Sequence, residues 1–186
     1  MADDIIYLTE KQIPVKLVLN DDGVTYSVST ALGAGSSTVK GQGIGYKKTL
    51  TVTNGAYTIN DVVGGAISLT GLTIGKRYVL HTLALGGVAA LGYHLWFFET
   101  DLATPALDNA ASTMVAADIA KCLGVIPIAA ADYDAGVSAF NVATIRSLAF
   151  EFVPTATSIV AYLLADAVTS PGTTVLTLRL NGEQID

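Results

Sequence analysis

The sequence predicts a mostly β protein, a β-sandwich or jelly roll with one short helix, preceded by a short β-hairpin arm. From Tyr46 onward, segments of alternating polar and apolar residues recur at short, fairly regular intervals. Turn-forming residues such as Asn54-Gly55 and Ser170-Pro171-Gly172 separate these segments. Only one short segment has helical periodicity. Regularly spaced strands with so little helix are typical of a β-sandwich or jelly roll.

Residues 1–45 are predicted to form an N-terminal arm, and residues 46–186 the β-sandwich domain. Ile13 to Leu19 alternates as a strand, and Val24 to Ser29 alternates as a second strand after the turn signal Asn20-Asp21-Asp22-Gly23. A hairpin of this size is not stable alone, so we expect it to pack on the main domain or on a partner. Residues 30–45 contain five glycines and few large side chains, the composition of a flexible linker.

The most apolar window of the chain, Val79 to Phe98, has two interpretations. As one helix it is about long enough to cross a bilayer, and as two strands it divides at Gly86-Gly87. We choose the strands because histidines are costly in hydrocarbon, glycines lower helix propensity and aromatic crowding favours a sheet. Hydropathy alone leaves the helix open. Strict alternation puts Leu80 and Leu83 on opposite faces of the first strand. The two strands, expected at the buried centre, are Lys76 to Leu85 and Leu91 to Glu99.

The remaining elements follow from the same alternation and from turn residues. Gly64-Gly65 predicts a bulge or a close backbone approach inside its strand, and Pro127 predicts an edge strand. Val115 to Leu123 has apolar residues at helical spacing, with a capping Ser or Thr before it and Gly124 to end it. The other predicted strands are Lys47 to Thr53, Val62 to Leu69, Val125 to Ala129, Asn141 to Val153, Ser158 to Ala165 and Thr173 to Leu180.

Composition and charge limit the functional classes. Of the 186 residues, 51% are hydrophobic and only 14% are charged, which is apolar for a soluble monomer. Either an oligomer interface or a large core accounts for this. A net charge of −6 without a basic run disfavours binding to nucleic-acid phosphates. The N-terminal MADDIIYLTEK lacks the basic and apolar regions of a signal peptide, so we expect cytoplasmic synthesis without export.

Several phrases in the last two-thirds of the chain occur in a characteristic order. They are YTINDVVGG at Tyr57 to Gly65, LWFFETDLATPALDNA at Leu95 to Ala110, DIAKCLGVIPI at Asp118 to Ile128 and LTLRLNGEQID at Leu176 to Asp186. In order and spacing they resemble a family of tailed-bacteriophage head decoration or cement proteins, which are encoded next to the major capsid protein. The N-terminal IPVKLVLNDDG also resembles the leader strand of such proteins. The segment Lys76 to Ala90 departs from the family pattern by being more apolar.

The resemblance implies a β-sandwich of jelly-roll type and a structural, non-enzymatic role in the virion. A protein of this kind binds the outer surface of the capsid and stabilises the shell, and its partners are the major capsid protein and further copies of itself, often in a homotrimer. We expect the outer surface because packaged DNA would repel a chain of net charge −6. After synthesis in the host cytoplasm the protein would reside on the virion, with neither nucleic acid nor membrane as a partner.

No residue is expected to act in catalysis, in cofactor binding or in metal binding. His81 and His94, with Glu99 near the second, could begin a metal site, but they lack the close spacing of metal ligands. We therefore favour structural histidines on half-buried strands. Cys122 is the only cysteine, which excludes an intrachain disulfide and a thiolate metal cluster. We interpret it as an inert, buried thiol.

Acidic residues in two loops are candidate calcium ligands. Asp101, Asp108 and Asn109 lie in one polar loop, and Asp132 and Asp134 lie in another. Oxygen ligands of this kind bind Ca²⁺. Neither loop has the dense acidic spacing of a calcium loop, so Asx turns are favoured.

The alternative function is that of a carbohydrate- or ligand-binding β-sandwich module, as in a head fibre or a tail-associated adhesion protein. Such a module needs an exposed aromatic platform. Trp96 is the only tryptophan, and it lies in the strand that looks most buried, which argues against this interpretation.

Overall fold

The computed structural model describes three N-terminal strands and residues 43–87, 89–135 and 140–185. The chain divides into two compact units, Met1–Val39 and Lys40–Asp186. In the first unit, strands β1 (Ile5–Leu8), β2 (Ile13–Leu19) and β3 (Tyr26–Ser29) form an antiparallel sheet in the order β1-β2-β3.

The predicted hairpin of the arm corresponds to β2 and β3, which pair antiparallel from Lys16–Ser29 to Leu19–Tyr26. Strand β1 was not predicted, and it pairs with the other edge of β2. The predicted turn at residues 20–23 and residues 30–42 of the predicted linker lie outside the described residues. The last residues of that linker, Gly43 to Gly45, belong to a strand of the second unit.

The second unit consists almost entirely of strands. Its helical elements are one turn of helix and one short 3-10 turn, Ala130–Asp132, within the described residues. The elements are β4 (Gly43–Thr51), β5 (Val62–Thr70), β6 (Tyr78–Gly87), β7 (Tyr93–Phe98), α1 (Ala116–Ile119), β8 (Cys122–Ile128), β9 (Tyr133–Ala135), β10 (Asn141–Ile145), β11 (Phe150–Phe152), β12 (Ser158–Ala165) and β13 (Val175–Gln184).

These strands form two antiparallel sheets that bury a common core, so the predicted mostly β, sandwich-like fold is confirmed. One sheet has the order β4-β13-β6-β10-β9, with β11 also paired to β6, and the other has the order β5-β12-β7-β8. Leucines of β6 and β13 pack in one cluster with apolar residues of β7 and β12. The finer assignment to the jelly-roll type stays a prediction. Fully buried members of the cluster include Leu80, Leu83, Leu85, Leu180, Leu95, Phe97, Ile159 and Leu163.

The apolar window from Val79 to Phe98 forms two strands, as predicted, but they are not partners. Strand β6 lies between β13 and the pair β10 and β11, whereas β7 lies between β12 and β8 in the other sheet. Alternation identifies a strand and its buried face, but it does not identify the strand's neighbour. No helix in the described residues is long and apolar enough to cross a membrane.

A β-bulge in β6 makes the predicted alternation wrong in this strand. Thr82 pairs with Asn181 of β13, but the next residue of β13, Gly182, pairs with Leu80, so His81 is the extra residue. The bulge shifts the alternation by one position, and Leu80 and Leu83 are both fully buried. The bulge also brings the strands close together, because a Cβ on Gly182 would lie only 2.1 Å from the carbonyl oxygen of Val79.

Two local predictions in the smaller sheet are confirmed. The register between β5 and β12 shifts where Gly64 and Gly65 lie, and both glycines have positive φ, 81° and 72°. A Cβ on Gly64 would also approach the Leu50 Cβ to 2.8 Å, so this position is a bulge and a close approach together. Strand β8, which contains Pro127, lies at the edge of its sheet.

The predicted helix from Val115 to Leu123 is mostly wrong. The helix is a single turn, Ala116–Ile119, and Cys122 already begins β8. Gly124 does not end a helix. It lies inside β8 with φ 147°, where a side chain would meet the Phe150 ring, since a Cβ there would lie 2.6 Å from the Phe150 Cε2. Packing against the opposite sheet of the sandwich therefore explains why position 124 is a glycine.

The long strand predicted at Asn141 to Val153 is two strands, β10 and β11, separated by residues 146–149. Both pair with β6, and the break falls opposite the bulge of that strand, where the Leu148 N–H donates to the carbonyl oxygen of His81 at 2.9 Å. Ser147, in the break, has a positive φ of 59°. The alternation of residues in the sequence continues through this break, so it does not reveal that the backbone turns there.

The segment from residue 99 to residue 121 covers the outer face of the four-stranded sheet. Leu102 and Ala106 of this segment are buried against Val62, Phe98 and Tyr162 of the sheet. This second apolar cluster accounts for part of the high hydrophobic content of the chain. The outer face of the six-stranded sheet is instead exposed, and it carries the candidate site.

Candidate functional site

A shallow groove crosses the exposed outer face of the six-stranded sheet. Thr177, Gly86 and Val142 are direct neighbours on β13, β6 and β10. Since Gly86 has no side chain, the middle of this row is low and the flanking side chains form walls. The groove has a volume of about 380 Å³, and Ala84 and Arg179 complete its lining.

The groove continues along the sheet towards an apolar end. This part has a volume of about 350 Å³, and Phe140, Val142 and Val175 contribute to its lining. Their exposed fractions are 61%, 40% and 45%. Apolar side chains grouped on a surface in this way are typical of sites that bind another molecule.

The described lining of the groove carries polar, cationic and apolar side chains that can bind another molecule. Its polar lining consists of the hydroxyls of Thr173 and Thr177, the Asn141 amide and the Arg179 guanidinium. Among the described residues, neither part of the groove is lined by a carboxylate, an imidazole or a thiol. This set can donate hydrogen bonds, pair with an anion and cover apolar surface.

On the other side of the sandwich, Asp108 fastens the covering segment to the sheets. Its carboxylate accepts hydrogen bonds from the Tyr57 hydroxyl at 2.6 Å, from the Gly64 N–H at 2.7 Å and from the N–H and hydroxyl of Thr53, each at 2.7 Å. Burial alone would raise the pKa of Asp108, but the hydrogen bonds from Tyr57, Gly64 and Thr53 outweigh it and hold the pKa below its usual value. Asp108 is therefore a structural anion.

Two further carboxylates hold the same segment. The buried Asp118 accepts hydrogen bonds from the Val115 N–H at 3.0 Å and the Ala103 N–H at 2.9 Å. These two bonds hold the pKa of Asp118 below its usual value against the opposing effect of burial, and Lys121 assists them. Asp101 accepts a hydrogen bond from the Tyr162 hydroxyl.

We expect the carboxylates of Asp108 and Asp118 to make the protein sensitive to acid. Their pKa values in the folded protein lie below the usual 3.8, so the unfolded chain takes up protons first as the pH falls. Their stabilising contribution is present above the unfolded pKa and is lost below it. The free energy of unfolding should therefore decrease from about pH 5 downward.

Urea unfolding followed by Trp96 fluorescence at a series of pH values measures this decrease. Asp118→Asn should make the decrease smaller, and Asp134→Asn, at an exposed position on β9, should leave it unchanged. A free energy of unfolding that stays constant down to about pH 3 would contradict the assignment.

The two histidines lie in different sheets and have different carboxylate partners. The Nε2 of His81 lies 3.0 Å from Glu183 Oε1, and the Nδ1 of His94 lies 3.5 Å from Asp166 Oδ1. The structure gives His94 this partner rather than Glu99. In the part of the chain that the structure describes, no group of three or more His, Cys, Asp or Glu residues could hold a metal ion.

The remaining candidate residues occupy structural positions. Cys122 is half-buried at the start of β8, and its thiol faces the Gly124 carbonyl oxygen at 3.8 Å. Asp132 accepts a hydrogen bond from the Ala129 N–H at 2.8 Å, and Asn109 has a positive φ of 56°. Trp96 is half-buried and stacked on Phe98, so it does not form an exposed platform for a sugar.

The groove itself was not predicted from the sequence. The sequence feature that corresponds to the groove is the alternation of Ala84 and Gly86 with Leu83 and Leu85. Since the two leucines are buried, the outward face of β6 carries only small residues at these positions. That face could have been assigned only with knowledge of the bulge at His81. No protein-family model matches the chain, and no curated protein matches it.

Proposed function

We propose that the protein is a structural virion protein of a tailed bacteriophage, a decoration or cement protein that binds the outer surface of the head and stabilises the shell. The observation that carries the proposal is that the phrases resembling this family hold one another in place. Tyr57 and Gly64 of the first phrase donate to Asp108 of the second, and the Asn109 N–H donates to the Val62 carbonyl oxygen at 2.8 Å. The third phrase contributes Asp118, which holds Ala103 of the second.

This network supports the proposal because it gives the phrases a shared physical role. Short matches such as the tripeptide Asp-Asn-Ala or the tetrapeptide Val-Val-Gly-Gly occur by chance in unrelated chains. Tyr57 and Gly64 lie 51 and 44 positions from Asp108 in the chain, and both donate to its carboxylate, which is a stronger signal than any one short match. The phrases then belong to one structural feature, a loop fixed over a sheet, and are not separate chance matches.

The surface of the domain is also suited to a binding role. The outer face of the larger sheet is exposed and carries a groove lined by apolar side chains and by Arg179. The net charge of −6 favours the outside of the head over contact with packaged DNA. We further propose that the protein is a homotrimer, a state that suits the three-fold positions of an icosahedral shell.

Intact virions of the phage that carries the gene provide the test. An amine reagent too large to enter the head should label Lys76 and Lys121, which are exposed, and light scattering of the purified protein should give the mass of three chains. Label on the major capsid protein but on neither lysine would contradict the outer location. A monomer at micromolar concentration would contradict the trimer.

A further inference from the structure

Two cations on the outer face of the six-stranded sheet lie side by side. Arg179 of β13 and Lys47 of β4 are directly opposite each other in the register, and both are exposed. Within the described part of the chain, neither forms an ion pair. Like charges directly opposite each other destabilise a sheet, so this pair lowers the stability of the isolated domain.

Three described acidic residues on the strands of this sheet, Asp134, Glu151 and Glu183, are distant from the two cations or already paired. Glu151 of β11 pairs with Val79 of β6, whereas Arg179 pairs with Ala84, five residues further along that strand. Asp134 of β9 lies three strands away from β13, about 14 Å at the usual strand spacing. Glu183 lies further along β13, and its carboxylate is paired with His81. No described acidic side chain therefore compensates the cation pair locally, although the chain is acidic overall.

The cation pair adjoins the groove, because Arg179 lines it together with Gly86 and Val142. The apolar end, with Phe140 and Val175, lies beyond them on the same face. An extended chain presents alternate side chains on one face at intervals of roughly 7 Å. In a bound extended segment, the side chains at positions i, i+2 and i+4 lie on one face, and together they span the distance from Arg179 to Val175.

We propose that this face is a docking site for an extended acidic segment of a partner protein. One carboxylate of the segment pairs with Arg179 and Lys47, and an apolar side chain two or four positions away fills the groove over Gly86. Charge complementarity selects an acidic partner, and the apolar groove selects a protein rather than a simple anion. The inference rests on the proposed function, in which the partner is the major capsid protein of the shell.

The experiment measures co-sedimentation of the purified protein with heads from a phage mutant that lacks the gene. The variant Lys47→Glu/Arg179→Glu reverses the charges on the face. The matched control Lys76→Glu/Arg146→Glu makes the same change of charge at two exposed positions outside the strands. Melting temperature and light scattering establish that each variant is folded and has the wild-type mass.

We expect the wild type and the control to bind, and the reversal to weaken binding at least tenfold, with a loss of affinity for the wild type as salt is added. Val142→Asp should weaken binding through the groove. If the wild type does not bind heads, the proposed function is wrong and this inference is wrong with it. If the wild type binds and the reversal binds equally well, only the docking face is wrong. A reversal that breaks the oligomer and leaves head binding intact would make this face a contact between copies and overturn the proposal.

Discussion

Replacing Gly182 with alanine should destabilise the domain by about 3 kcal/mol or more, or prevent folding. The added Cβ would lie 2.1 Å from the Val79 carbonyl oxygen and 3.0 Å from the Leu80 Cα, and both are backbone atoms of the adjacent strand. A flexible side chain can move away from such a contact, whereas a strand in the middle of a sheet cannot. Relief would require β6 and β13 to separate at the bulge, with loss of their hydrogen bonds.

Gly43→Ala is the matched control for this substitution. Gly43 lies on the neighbouring strand β4 and pairs with Glu183, but a Cβ there would meet no atom within 4 Å. The control should unfold in urea within about 0.5 kcal/mol of the wild type. If Gly182→Ala and Gly43→Ala have the same urea unfolding midpoint, β6 and β13 do not approach each other at the bulge as closely as described.

Replacing Asp108 with alanine should lower the free energy of unfolding by about 3 kcal/mol. The change leaves the Gly64 N–H and the Tyr57 hydroxyl without their acceptor, and both lie close to the buried core. The covering segment would lose the contact that fastens it near β5. Its amides from residue 99 to residue 121 should then exchange hydrogen faster than those of β12, which the other strands of its sheet still protect.

Asp134→Ala serves as the control for this second prediction. It removes a carboxylate from an exposed position on β9 and should change the free energy of unfolding by less than about 0.5 kcal/mol. Asp108→Asn should retain part of the stability, because the amide oxygen can still accept from Tyr57 or Gly64. Wild-type stability in Asp108→Ala would show that the network around this carboxylate does not hold the segment.

The sequence predicted strands wherever the alternation was uninterrupted. Ser158–Ala165 was predicted with its observed bounds, and Pro127 correctly marked an edge. The errors occurred where backbone geometry breaks the alternation. One extra residue at His81 moved Leu83 to the same face as Leu80, and the turn at Ser147 divided one predicted strand into two. The sequence predicts Gly124 as a helix end, because the Phe150 ring that explains this glycine lies in another part of the chain.

The candidate site was less accessible to prediction than the fold. Asp101 and Asp108 were recognised as polar loop residues, but their partners Tyr162 and Tyr57 are 61 and 51 residues away, and local patterns carry no information on such contacts. The pairing of Lys47 with Arg179 likewise depends on the register between β4 and β13. That register is set by packing over the whole sheet, not by the residues that surround either cation.

A cryo-electron microscopy reconstruction of virions from the proposed source phage tests most directly whether the protein binds the outside of the head. We expect β-sandwich density on the outer surface of the shell, arranged in threes, with the face that carries Arg179 turned towards the major capsid protein. Heads with a bare outer surface, or the same density inside the head or in the tail, would contradict it.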